Sequence, residues 1–154
     1  MAKSNYNNVL TQLERTLDEY FGKKAPALPA NVKDIIVKIA PYLVIISVIF
    51  MLPGLLALFG LGGMMTAFAP FGGMGSAGMV RGMWVSILLF VPVIILEVMA
   101  IPGLFSRTIT AWRYVYWGQL IAIVASLVQF DIFGAIISAL IGFYILFQIK
   151  SFYK

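Results

Sequence analysis

Four apolar runs, each close to membrane-crossing length and nearly bare of charge, decide what this chain can fold into. They lie at about 39–59, 83–105, 112–129 and 132–149. A helix rises 1.5 Å per residue and needs ~20 apolar residues to cross a hydrocarbon core of about 30 Å. The last two runs, ~27 Å each, are just sufficient. In hydrocarbon every backbone N–H and C=O must be paired internally, and separate runs of this length meet that demand as helices. The expected fold is therefore an all-α membrane protein with four transmembrane helices. Composition agrees: 62% of residues are hydrophobic and 11% charged, against the ~25% charge usual in a soluble domain.

The charges punctuate these runs. Of eleven Lys and Arg, a four-span path puts Lys3, Arg15, Lys23, Lys24, Lys33, Lys38, Arg107, Arg113, Lys150 and Lys154 on one side and Arg81 alone on the other. The cation-rich side is expected to be cytoplasmic, with both termini there, in a plasma or inner membrane. A net charge of +5 could suggest nucleic acid. The cations flank apolar runs instead of forming a basic block interleaved with aromatics, so no nucleic-acid partner is expected. The N-terminus lacks a basic-then-apolar leader pattern, and the first span is expected to be an uncleaved anchor. Cysteine and histidine are both absent. That removes disulfides, thiolate and imidazole metal sites, and Cys or Ser-His nucleophile systems.

Three parts follow in order. Residues 1–24 contain an amphipathic helix over 4–21, with Tyr6, Leu10, Leu13, Leu17 and Tyr20 in alternating steps of four and three. That stripe can pack on its own protein or on a second copy. Residues 25–31 form a Pro/Ala linker, semi-rigid because each proline biases its predecessor towards extended backbone. Residues 32–154 carry the spans, the first opening with Asn31 as a cap and Asp34 three residues on. Within this part, 60–82 is rich in Gly and Met and is expected to be an apolar non-cytoplasmic loop. Its methionines have no Cys or His beside them, so neither metal nor cofactor is expected there.

The last two runs pair as a hairpin. Gly118, Ala122 and Ser126 recur every fourth residue on one arm, and Gly134, Ser138 and Gly142 on the other. Folding at Phe130 sets 118 opposite 142, 122 opposite 138 and 126 opposite 134, a small-xxx-small seam that lets two helix backbones approach. Asp131 fits as the N-cap of the second arm. Trp112, Tyr114, Tyr116 and Trp117, with Tyr144 and Tyr153, read as an aromatic belt at one membrane surface.

Prolines interrupt the first two spans. Pro53 removes the hydrogen bond to Ile49 and should kink the first, and Pro92 and Pro102 do likewise in the second. Pro53-Gly54-Leu55 and Pro102-Gly103-Leu104 form a faint internal echo, of the kind that in transporters marks broken helices around a site.

Glu97 is the one ionisable residue deep in a span. It lies ~15 Å along the helix from Arg107, near the bilayer midplane. A charge there costs about 2.5 kcal/mol or more, and no cation in another span stands ready to neutralise it. A protonated carboxyl is expected, with Ser47, Ser138 and Gln119 as candidate partners. Such a group either handles protons or cations, or bridges helices as a neutral acid. No paired carboxylates, phosphate loop or nucleophile–base pair accompanies it, so no enzymatic activity is expected. Two functions remain. One is a self-associating structural, assembly or accessory membrane protein. The other is a small oligomeric channel or a proton or cation transporter using Glu97.

Overall fold

The computed structural model describes residues 2–68, 70 and 73–154; the side chains of 2–8, 65, 73–77 and 79 are not among those described. The described residues form five α-helices: α1 (Ala2–Leu17), α2 (Ala30–Phe68), α3 (Gly73–Phe105), α4 (Ile109–Val128) and α5 (Ile132–Ile149). A π-helical stretch, Asp18–Lys24, follows α1, and a 3₁₀ turn, Lys150–Phe152, follows α5. Among the described residues, three helices are long and apolar enough to cross a membrane: α2, the Val80–Phe105 part of α3, and Ile132–Phe152. The chain is thus a small helical membrane-type protein. α4 falls short of that measure because Arg113, Gln119 and a Trp/Tyr cluster dilute its apolar run.

α4 packs against both α3 and α5, and α2 packs against α3 and also touches α5. The turn from α3 to α4 is tight, with Arg107 at φ 54° and the Thr108 hydroxyl accepting from the Ala111 N–H as N-cap. The turn from α4 to α5 is as short, with Phe130 at φ 61° and the Asp131 carboxylate accepting from the Gly134 N–H at 2.9 Å.

Among the described residues of 60–82, those at 60–68 and 73–82 are helical and not loop. α2 runs on through Gly60, Gly62 and Gly63 to Phe68, and α3 begins at Gly73. A glycine costs ~1 kcal/mol in a helix relative to alanine, whereas an unpaired peptide group in an apolar medium costs several, so helix wins. Pro41, Pro53, Pro92 and Pro102 likewise lie inside continuous helices. α2 starts one residue ahead of Asn31, and Asp34 is engaged with Lys38 at 2.8 Å and Arg107 at 3.6 Å.

The core sits at one end of the bundle. Trp112 (0% exposed) stacks on Tyr116 at 5.5 Å and 6° and meets Phe147 edge-on at 5.3 Å; Phe143, Leu146, Ala100, Leu104, Val37 and Tyr153 close around them. Trp112 and Tyr116 are therefore core residues and not part of an interfacial belt. Trp112 meets its polar obligation inside. Lys150 N–H turns back to the Phe147 carbonyl in the 3₁₀ turn, and the Leu146 carbonyl accepts from Trp112 Nε1 at 2.8 Å. Backbone bonds from Ile109 N to Lys154 O (2.9 Å) and from Lys154 N to Arg107 O (3.0 Å) fasten the segment after α5 to the α3–α4 corner.

Candidate functional site

Glu97 on α3 faces α2. The Ser47 hydroxyl lies 2.8 Å from Glu97 Oε2 and 2.8 Å from the Val44 carbonyl one turn earlier. A serine has one proton to give. Both contacts are satisfied together when Glu97 donates its own proton to Ser47 Oγ and Ser47 donates to Val44. The geometry suits a neutral acid closing a two-helix hydrogen-bond chain.

Gln119 and Ser138 lie elsewhere, between α4 and α5. Gln119 Nε2 donates to both the Ser138 carbonyl and the Ser138 hydroxyl at 2.9 Å. The four polar residues singled out for an intramembrane site thus form two separate pairs. Gly142 lies directly under the Gln119 amide, so a Cβ there would collide with it. Gly118 is buried, yet a Cβ built on it meets nothing within 4 Å. Gly134 is pressed against its own cap, Asp131. Ala122, Ser126 and Ser138 are half-buried, while Ala125 and Ala135 are the fully buried small residues towards the hairpin tip.

Beyond the Glu97 pair, a cleft lies between α2 and α3. They meet at Ser47–Glu97 and again where Gly62 approaches Ile87. Between these contacts α2 spends fifteen residues and α3 ten, roughly 22 Å against 15 Å of helix. The surplus coincides with an apolar cleft of about 300 Å³ lined by Met51, Gly54, Leu55, Leu58, Phe90 and Ile94. Pro53 stands beside it, where the missing N–H allows α2 to bow outward. Gly103, in the matching Pro-Gly-Leu of α3, is instead packed tight: a Cβ would come within 2.5 Å of Thr108 Oγ1 and 2.7 Å of Ala111 Cβ. The two halves of the echo have unlike surroundings. Beyond the cleft, Trp84 Nε1 donates to Thr66 Oγ1 at 3.2 Å, and Trp84 meets Phe59 edge-on.

The cation-rich end is the more elaborate one. Of the α1 stripe, Leu17 packs on the core, while Leu10, Leu13 and Tyr20 remain largely exposed; Tyr6 lies outside the described side chains. Docking runs through Phe21 against Phe143 and through Lys150, which reaches Glu14 at 2.9 Å and Asp18 at 3.8 Å while standing 4.9 Å over the Trp112 ring. The Glu19 carboxyl, bonded to Lys24 at 2.8 Å, is held below the ordinary glutamate value by that contact. Gln148, 2% exposed, was not foreseen. Its Nε2 donates to the Phe21 carbonyl at 2.9 Å and its Oε1 accepts from the Leu28 N–H at 3.2 Å, while Tyr144 donates to Pro26 at 2.7 Å. A lone glutamine at the end of an apolar run looks like any interfacial polar residue, so composition gave no sign of it.

Comparison with protein-family profiles, with curated proteins and with solved structures returned no match.

Proposed function

We propose that the chain is a four-span integral membrane protein with both termini on the cytoplasmic, cation-rich side, and that it is a non-enzymatic assembly or accessory subunit. The observation that carries this reading is how the deep polar groups are used. Ser47 with Glu97, and Gln119 with Ser138, are each closed on a neighbouring helix. Interhelical bonds of this kind hold membrane bundles together, and they turn these four polar groups towards a partner helix instead of an open path. α4 counts as the fourth span in this reading because it packs against both α3 and α5, two helices that are themselves of spanning length. Its one charge, Arg113, sits in the first turns, within reach of the surface.

The surface available for a second copy, or for another membrane subunit, is the outer face of α2. Phe50 is 78% exposed, and Leu43, Ile49 and Leu56 flank it. Glu97 then works as a neutral bridge setting the depth of α2 against α3.

Reconstitution separates this from a proton or cation path through Glu97. Wild type and Glu97→Gln are compared in liposomes for flux, and in mild detergent for oligomer mass. The expected result is no flux from either and a lower melting temperature for Glu97→Gln. Flux in the wild type that the substitution abolishes would replace the assembly reading with the transport one.

A further inference from the structure

The two arginines that bracket the start of α4 differ in their surroundings. Arg107 has Asp34 at 3.6 Å. Arg113, exposed, has no carboxylate within ion-pair distance among the described residues. One turn along α4 from Arg113 is Trp117, half-buried and edge-on to Tyr116 at 5.4 Å. α1 passes opposite, and the space between is a pocket of about 240 Å³ lined by Leu10, Thr11, Glu14, Arg113 and Trp117. The only anion in that lining, Glu14, is already neutralised by Lys150 at 2.9 Å. The pocket lining therefore combines one cation outside any ion pair with an indole and a leucine.

We propose that this pocket holds the phosphate-bearing head group of an anionic phospholipid, with Arg113 contacting the phosphate and Trp117 and Leu10 flanking the glycerol-ester region. The assignment rests on the membrane reading above, which puts the first turns of α4 at head-group level. Guanidinium groups pair with phosphate oxygens through two parallel N–H donors. Tryptophan favours the depth where ester and first methylenes meet. Basic pockets beside transmembrane helices select anionic head groups in this way. The exposure of Leu10 has a use here: it walls the lipid site.

The test uses the full chain in detergent, titrated with phosphatidylglycerol or phosphatidylcholine and read by native mass spectrometry. Wild type is expected to retain a first phosphatidylglycerol about fivefold better than Arg113→Gln, the factor that corresponds to ~1 kcal/mol per cation near a charged surface. Lys33→Gln, which removes a cation away from the pocket, is expected to keep the wild-type preference. A second readout does not depend on the arginine variant folding normally. Phosphatidylglycerol brominated near the ester should quench wild-type fluorescence more than brominated phosphatidylcholine does, and Trp117→Phe should abolish the difference. Equal retention by Arg113→Gln, or equal quenching by the two lipids, overturns the proposal. Displacement of phosphatidylglycerol by millimolar inorganic phosphate would assign the pocket to a soluble phosphate and also overturn it. If the chain proves not to be inserted in liposomes at all, the membrane reading fails first, and protease protection of the 107–113 corner reports that separately.

Discussion

Replacing Gln148 with leucine should release the N-terminal segment that precedes α2 while leaving the helical bundle standing. The volume and shape of the buried side chain are nearly kept, so the loss is confined to hydrogen bonding. Two bonds go: Nε2 to the Phe21 carbonyl at 2.9 Å and the Leu28 N–H to Oε1 at 3.2 Å. At ~1 kcal/mol net for each bond, the docked state loses about 2 kcal/mol, more where the two backbone groups stay sheltered from water. About 2 kcal/mol corresponds to a roughly 30-fold larger open population. Hydrogen exchange reads this at one atom, the Leu28 amide, which donates to Gln148. Exchange there should accelerate by about that factor in Gln148→Leu, and trypsin should cut faster after Lys23 and Lys24. Amides of α4 and α5 near the Trp112–Phe147 contact should keep their protection, because that packing does not involve the amide. Gln148→Glu, which keeps the acceptor for Leu28 and loses the donor to Phe21, should fall between. Unchanged exchange at Leu28 in Gln148→Leu would refute the clamp, and an equal loss of protection throughout α4 and α5 would show that docking and bundle are one cooperative unit.

Three further outcomes follow from contacts already described. Gly103→Ala overfills the α3–α4 corner against Ala111 and Thr108 and should lower stability by about 1–3 kcal/mol, whereas Gly54→Ala, with nothing within 4 Å of the new Cβ, should melt as the wild type does or slightly higher. Gly142→Ala should push aside the Gln119 amide, lose its bonds to Ser138, and lower the melting temperature more than Gly118→Ala, whose added methyl meets no neighbour; equal effects would mean that the hairpin relaxes around either site. Because Lys24 holds the Glu19 carboxyl below the ordinary glutamate value, the pair's contribution is present above that ordinary value and is lost as pH falls through the lower folded one. The pair is fully exposed, so the effect is small and fades with salt. It should appear as a difference between wild type and Lys24→Gln in the helicity of the Asp18–Lys24 stretch that is present near neutral pH and is lost as the Glu19 carboxyl is protonated in acid.

What could be read in advance, and what could not, divides along a physical line. Depth is legible because helix rise is constant. Counting from the charged ends brings Ser47 to the level of Glu97, and the capping role of Asp131 follows from its place before an apolar run. Azimuth is less legible. Gln119 and Ser138 share Glu97's approximate depth yet face each other, since which side of a helix meets which neighbour is decided by packing. The glycines of 60–68 and 73–82 mislead because helix propensities describe water, where a peptide left unpaired can bond solvent. The aromatic cluster misleads for a related reason: Trp112 has the composition of a surface anchor, and only the carbonyl freed at Leu146 allows its N–H to be buried. Gln148 was out of reach altogether, its partners lying 120 and 127 residues away in the chain.

The length of α2 has a consequence for where such a protein is comfortable. Its apolar stretch from Ile39 to Phe68 is continuous helix, roughly 45 Å at 1.5 Å per residue, against a hydrocarbon core of about 30 Å. α3 needs less, since its apolar stretch from Met83 to Phe105 amounts to roughly 34 Å. Two neighbouring helices thus ask different thicknesses of the same bilayer. The mismatch is relieved by leaning or bowing α2, or by a locally thicker membrane, at fractions of a kcal/mol per Å. Lengthening the lipid tails should then straighten α2 towards α3 and narrow the cleft at Gly54, so that bilayer thickness itself tunes the shape of the molecule and favours its residence in thicker membranes.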